Sequence, residues 1–394
     1  MSLPLNGIRI LDLSRYLPGP FATQIMADFG AEVIKVEDPK GGDLGRMLPP
    51  LLNGESTRFY SVNRNKKSII LNLKKPEGKE AFKRLASRSD VIMDQFRPGV
   101  MDKLGLGYEE LKQINPALIY CSITGYGLDG PLRDAAGHDI NYLSLAGFTG
   151  VSGSYNCKPV ICGSQIADVA GGGLYSVIAV LMALAQRQKT GQGQHCDVAM
   201  FDASLSMMAY TIGEWCGLGK LPQIGDELLS GGYAFYQVYP AKDGKYVSLG
   251  ALEEKFYLEF CRKIGRMDLY EKRWDKESQR EIIEEISGIM LGKTRDEWVA
   301  YFADSDICFT PVLELDEVCN HPQVKARDMI VNIEDFKGSG KTLNLTGIPI
   351  KLSDTPGQLE LKFPKLGEHT KEVLISLGGY TTEEVDQLTK DGVI

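Results

Sequence analysis

Short apolar runs and amphipathic stretches alternate along the first part of the chain. Residues 8–13 (Ile-Arg-Ile-Leu-Asp-Leu) form a compact run suited to a buried strand. Residues 21–29 carry helical spacing, and residues 31–36 and 68–73 repeat the strand pattern. A helix over 76–88 follows, then strands over 90–93 and 117–122. Strands separated by amphipathic helices predict an α/β fold with a parallel sheet covered on both faces, Rossmann-like in topology. The turn after the first strand reads Leu13-Ser-Arg-Tyr-Leu-Pro-Gly-Pro20 rather than GxGxxG, so no dinucleotide cofactor is inferred.

Further along, residues 168–188 predict a long helix ending at the glycine-rich stop 189–194, and 195–200 a strand. A second helical stretch spans 201–217. The pattern then changes. Residues 218–232 are glycine-rich and read as a linker, and 235–239 with 245–249 read as a hairpin turned at Lys242-Asp-Gly244. Charge-rich amphipathic helices such as 278–291 follow, so 233–324 predicts a smaller α+β domain after a large domain over 1–217. Residues 325–394 return to a mixed pattern and end in a helix around 371–377.

Composition narrows the class of function. The 394 residues are 43% hydrophobic and 24% charged, an ordinary balance for a globular protein. The net charge is −8, which excludes a general nucleic-acid binder but leaves room for a local basic pocket. Eight cysteines without a CxxC pair and only four histidines argue against zinc or a disulfide framework. Residues 1–7 lack a secretory pattern, and the most apolar stretch, 174–185, is too short for a membrane span. Residues 391–394 carry no peroxisomal or retention address. A cytoplasmic enzyme without a membrane span is expected.

Three places carry candidate chemistry. His138 precedes Asp139 where a helix is predicted to start, its apolar face formed by Ile140, Leu143 and Leu145. A helix N-terminus disfavours charged imidazole, leaving a neutral base; the alternative is a structural histidine bonded to a carbonyl. Asp168 precedes Gly171-Gly-Gly173. Asp is a good N-cap, but successive glycines in a first turn each cost about 1 kcal/mol relative to alanine. Something there needs bare backbone, either close helix packing or a ligand on the amides. Glu253 falls between a strand and a helix and serves equally well as a first-turn acid. Phe96-Arg97-Pro98-Gly99 and Asn63-Arg-Asn-Lys-Lys67 place basic side chains at turns where phosphates bind, or form solvated loops. His195, His321 and His369 have no informative neighbours, and no GxSxG, HExxH or P-loop occurs.

Gly137-His-Asp-Ile-Asn-Tyr142, Ala167-Asp-Val-Ala-Gly-Gly-Gly173 and Gly250-Ala-Leu-Glu253 resemble signature segments of the α-methylacyl-CoA racemases, within the family III CoA-transferase (carnitine/bile-acid CoA-transferase) superfamily. The resemblance runs nearly end to end and includes Leu17-Pro-Gly-Pro-Phe21, Ala27-Asp-Phe-Gly-Ala31, Lys189-Thr-Gly-Gln-Gly-Gln194, Thr310-Pro-Val312 and Gly367-Glu-His-Thr370. His138 lies 30 residues before Asp168 and 115 before Glu253, spacings similar to those of the racemases.

The resemblance implies an acyl-CoA thioester substrate, no metal or redox cofactor, and an interlocked homodimer. Residues 325–394 would return to the large domain, and each active site would lie between the large domain of one chain and the small domain of the other. It implies His138 and Asp168 as catalytic acid/base residues, acting on the 2S and 2R substrate respectively, with Glu253 orienting His138. It further implies that Leu71, Asn72, Leu73, Lys74, Arg97, Gly137, Asp139 and Tyr142 contact CoA or the thioester. Inverting a carbon α to a thioester requires one group per face with opposite protonation states and donors for the enolate oxygen, which the helix beginning at Val169 would offer.

Two departures are visible. Where the racemases commonly have an arginine after the acid that follows the second strand, this chain has Asp38, so one phosphate contact lacks its cation. The stretch 53–67 is longer than the racemase loop and looks more like the transferases. In those, an aspartate at the position of Asp168 is a nucleophile that forms an anhydride with the acyl group. CoA transfer between carboxylic acids is therefore the alternative activity, and a CoA-binding regulatory subunit a third reading.

Overall fold

The computed structural model describes residues 2–394, which divide into two compact units. The larger contains the chain up to Ala146, Ser164–Met207 and His321–Ile394. Its sheet has six strands: β1 (Arg9–Asp12), β2 (Glu32–Glu37), β3 (Lys66–Ile70), β4 (Val91–Asp94), β5 (Ile119–Thr124) and β6 (His195–Ala199). They lie in the order 3-2-1-4-5-6 with every neighbouring pair parallel. In register, Ile10 stands opposite Val33 on one side and Val91 on the other. β4 and β5 are buried along their whole length, which is why they read as continuous apolar runs. In this order the chain reverses direction across the sheet between β1 and β4, opening a crevice at their carboxyl ends.

Helices α1 (Pro18–Asp28), α2 (Pro76–Ala86), α3 (Asp139–Leu145), α4 (Tyr175–Thr190) and α5 (Met200–Ser206) belong to the same unit. Proline opens both α1 and α2, where its missing N–H costs nothing. The helices Thr370–Ser376 and Thr382–Lys390 add Val373, Leu374, Val385 and Leu388 to the core that holds Ile69, Leu71 and Phe82.

The smaller unit comprises Gly147–Gly163 and Met208–Asn320. Strands β7 (Tyr236–Pro240), β8 (Tyr246–Gly250) and β9 (Phe309–Pro311) form an antiparallel sheet with β8 in the centre, and Gly244 (φ 77°) makes the hairpin turn. Helix α6 (Glu254–Lys263) and the helices Gln279–Met290 and Arg295–Phe302 close over Phe235, Tyr239, Val247, Tyr257 and Phe260.

Several expectations change. The single helix predicted over 201–217 breaks at Met207–Met208 into α5 and the helix Ala209–Leu218, which lie in different units. Segment 147–163 leaves the larger unit without any compositional signal. Residues 218–232 are not a free linker: Lys276 bonds Asp226 at 3.2 Å, Arg280 pairs with the same carboxylate, and Gly225 packs on the backbone of Tyr155. Helix 168–188 instead opens with two π-helical turns, Ala167–Leu174, that continue into α4. The combined helix Ala167–Thr190 is long and apolar enough, by length and composition, to cross a membrane, unlike the stretch 174–185 alone. Here Val177, Val180, Ala183 and Leu184 bury into the larger unit, and α4 packs on β5 and β6.

The basic segment 63–67 is neither a phosphate site nor a solvated loop. Arg64 forks onto Asp28 (2.9 and 2.7 Å), and Lys67 bonds Glu32 and Glu372. Lys66 reaches Asp12 (3.2 Å), Asn63 (2.9 Å) and the Pro20 carbonyl (2.9 Å). Beside it, Lys35 is fully buried and bonds Asp43 (2.9 Å) and the Ser14 carbonyl (2.8 Å). Burial opposes the charge on Asp12, yet Lys35 and Lys66 outweigh it and hold the carboxyl well below the usual range.

Candidate active site

His138 is the N-cap of α3, with extended backbone (φ −131°, ψ 175°). Its N–H donates to Asn141 Oδ1 at 3.0 Å, and its carbonyl accepts from the Asn141 N–H at 2.8 Å. The imidazole is exposed. Tyr142, one turn on, is buried and donates its hydroxyl to the Gly137 carbonyl at 2.6 Å. A Cβ on Gly125 or on Gly137 would stand 2.7 Å from the Tyr142 ring, so glycine is required where the loop folds over it. Tyr142 therefore fixes the approach of the chain to His138. Only one residue of the predicted apolar face of α3 is covered: Leu143 is buried, but Ile140 and Leu145 are 40% and 52% exposed.

Asp168 is half-buried in the first π turn, and its N–H donates to Asp139 Oδ1 at 3.1 Å. Burial pushes its carboxyl up to about 6, the negative charge of Asp139 adds to the rise, and His138 opposes it. Burial also raises the Tyr142 phenol to about 12, with Asp168 contributing. The structure thus brings His138, Asp139, Tyr142 and Asp168 into one electrostatic neighbourhood.

The glycines after Asp168 are explained by packing. A Cβ on Gly172 would lie 2.7 Å from Pro18 Cβ, and one on Gly173 2.8 Å from the Phe21 ring, both in α1. Gly171 lies against the Met200 carbonyl at the start of α5. Asp168 is not an N-cap, since Ile166 precedes the π turns in helical conformation. The Val169 N–H donates to the Gln165 carbonyl at 2.9 Å and the Asp168 N–H to Asp139, so these amides are not free enolate donors as expected.

Glu253 belongs to the smaller unit, where it is the exposed N-cap of α6 just beyond β8. Its charge, after burial, helps raise the thiol of nearby Cys308.

Leu71, Leu73 and Lys74 line a cavity of about 280 Å³ at the carboxyl ends of β1 to β4. Asn72 does not line it; its Oδ1 accepts from the Lys74 N–H at 3.1 Å and its N–H donates to the Val393 carbonyl. Arg97 lines a separate cavity of about 130 Å³ with Arg133, Tyr108 and His195. Asp38 borders the first cavity and caps its own turn through the Lys40 N–H (2.8 Å). Phe96 joins this lining, as do Arg15 and Lys103, which no sequence motif singles out. Their signal was position, since each follows β1 or β4 at the reversal of strand order. No motif singles out His195 either, whose Nε2 lies 3.0 Å from Ser122 Oγ, itself 3.1 Å from buried Asp94. Among the described residues, no group of three or more His, Cys, Asp or Glu side chains is placed to hold a metal ion.

Comparison with known proteins gives consistent matches. Residues 5–370 match CoA-transferase family III. The chain is 34% identical to alpha-methylacyl-CoA racemase of Homo sapiens over 100% of its own length and 98% of the relative's. It is 33% identical to succinyl-CoA:glutarate CoA-transferase of Homo sapiens, covering 99% of this chain and 90% of that one. The crystal structure of a CaiB/BaiF family protein from Brucella suis superposes with a TM-score of 0.84 at 32% identity, over 96% of this chain and 100% of the other.

Proposed function

The chain belongs to CoA-transferase family III, and on that premise we propose that it inverts the α-carbon of 2-methyl-branched acyl-CoA thioesters by two-base proton transfer. One observation carries this reading. Asp168, its carboxyl pushed up to about 6, lies within the field of His138, so an acid able to take up or give back a proton near neutral pH stands beside a second acid/base side chain. Neutral His138 removes the α-proton of the 2S ester while protonated Asp168 returns one to the opposite face. The 2R ester uses the same pair in reverse. Between the two transfers the electrons rest on the thioester oxygen as an enolate, which must meet hydrogen-bond donors in the assembled site.

The thioester's CoA portion is assigned to the crevice at the carboxyl ends of β1 to β4, where open α/β sheets take their ligands. Lys74 and Lys103 in its lining supply positive charge to it. A second copy of the chain is assigned to the apolar side chains left open in each unit. These include Ile178, Leu181 and Met182 on α4, and Tyr210, Trp215 and Leu218 in the smaller unit. Glu253 of that copy then orients His138.

Incubation of a 2-methylacyl-CoA in deuterated water without a carboxylate acceptor tests the reading. Deuterium at C2 with loss of optical purity supports it. Absence of wash-in, with CoA moving only when a carboxylate is added, overturns it in favour of transfer through an Asp168 anhydride. That second reading is favoured by the long stretch 53–67.

The pH profile supplies a further expected result. Below about pH 6 the Asp168 carboxylate takes up a proton, and kcat/KM for wash-in from the 2R ester, for which it is the base, falls. Asp139→Asn removes the negative charge but leaves an amide oxygen to accept from the Asp168 N–H. The midpoint of this acid limb then moves to lower pH. An unmoved limb would show that Asp139 does not set the protonation of the pair.

A further inference from the structure

Arg15 occupies the turn between β1 and α1, at the mouth of the 280 Å³ cavity. Its guanidinium sits 5.1 Å from the centroid of the Phe96 ring and makes no hydrogen bond or ion pair with the described residues. The residues on either side are both anchored. The Ser14 carbonyl is taken by Lys35 (2.8 Å), and the Tyr16 N–H donates to Asp43 (3.1 Å). Tyr16 is held at φ 62°, a conformation that side-chain-bearing residues rarely adopt without such support. A buried charge cluster is therefore aiming a residue whose own charge is unmatched.

The cavity's composition identifies what that charge faces. Leu13, Val36, Leu71 and Phe96 make an apolar slot of the kind a flat heteroaromatic base enters. Asp38 stands at the end of β2, the place from which an acid accepts a ribose hydroxyl in sheets of this strand order. An acid there repels a phosphorylated ribose unless a cation stands beside it. Arg15 shares this lining with Lys74 and Lys103, and it is the guanidinium among them, with a planar fork that matches phosphate geometry as lysine does not.

We propose that Arg15 binds the 3′-phosphate carried by the adenosine ribose of the CoA thioester, and so makes the chain selective for CoA esters over their 3′-dephospho analogues. The proposal rests on the acyl-CoA reading of the site, but not on which reaction follows binding.

Calorimetric titration of the full chain with propionyl-CoA and with 3′-dephospho-propionyl-CoA tests it. Arg15→Gln is expected to weaken binding of the first ester by about 10- to 100-fold, the loss of charge-assisted bonds to a phosphate. It should leave the second within about twofold, and Arg15→Lys should recover part of the loss. A variant that weakens both esters equally places Arg15 on the pyrophosphate or in a merely structural role, and overturns the assignment. So does a variant that weakens neither. If the unaltered chain binds neither ester, the acyl-CoA reading falls with it. Selective weakening by Arg15→Gln upholds the assignment even in the absence of deuterium wash-in, which would remove the racemase reading alone.

Discussion

His138→Ala is expected to split the two directions of the reaction. Deuterium exchange from the 2S ester should fall by about 10²- to 10⁴-fold, the usual contribution of a positioned acid or base. Exchange from the 2R ester should persist, because in the proposed mechanism Asp168 serves that face, and its carboxyl near 6 lets it both take and return a proton. The deuterated 2R product should keep its configuration, since no acid remains on the other face. Chiral chromatography with mass detection after single-enantiomer incubations reads both quantities. Equal loss from the two enantiomers, with CoA-ester binding unchanged, would mean that the groups do not serve separate faces. His138 is exposed and its side chain is not part of the packed core, so the variant should fold normally.

Lys35→Met should produce the largest loss of stability. Lys35 is fully buried and bonds buried Asp43, and Asp12 lies within its field. Removing the cation leaves carboxylates in the interior without their counter-charge, at a cost of about 3–5 kcal/mol. Denaturant unfolding followed by circular dichroism measures it. A companion Asp43→Asn change should restore part of the loss, because it removes the carboxylate left unpaired and keeps an amide oxygen for the Tyr16 and Gly45 N–H groups. The sign with pH follows from Lys35. Burial pulls its ammonium down, but Asp12, Asp43 and Glu37 more than compensate, and its pKa lies above the ordinary lysine value. Its contribution is thus complete below the unfolded lysine range and declines only as pH rises above it. A Lys35→Met variant as stable as the parent would show that the cluster is solvated in the folded chain.

Strands β1 to β5 were legible because they are largely buried and therefore read as apolar runs, whereas β6 at the sheet edge exposes His195 and Asp197. Their order was not legible, since β1 sits beside β4 only through contacts 80 residues apart, such as Arg9 N–H to Asp90. The segment 63–67 misled for the same reason: the acids that neutralise Arg64, Lys66 and Lys67 are Asp28, Asp12, Glu32 and Glu372, all remote in sequence. At the site, His138, Asp168 and Glu253 stood out through their neighbours along the chain. Asp139 as the group that bonds Asp168 and raises its proton affinity did not, because that effect depends on a fold bringing α3 against the π turns. Arg15 lies in a turn whose sequence shows only that the glycine fingerprint is missing, and its unmatched charge becomes visible only in the fold, where Ser14 and Tyr16 are pinned on either side of it.

The π-helical opening over Ala167–Leu174 makes the direction of the Asp168 carboxyl unusually sensitive to the chain's register. Each of its hydrogen-bonded rings encloses one residue more than an α turn does. Losing a single residue there would allow the stretch to rewind as ordinary α-helix, with α4 and its seat on the sheet undisturbed. The few residues of the stretch that precede the deletion would turn by about 100°, the angle one residue subtends, and Asp168 would point away from Asp139 and His138. A one-residue deletion, harmless in most surface loops, would here yield a well-folded protein with no second acid in reach.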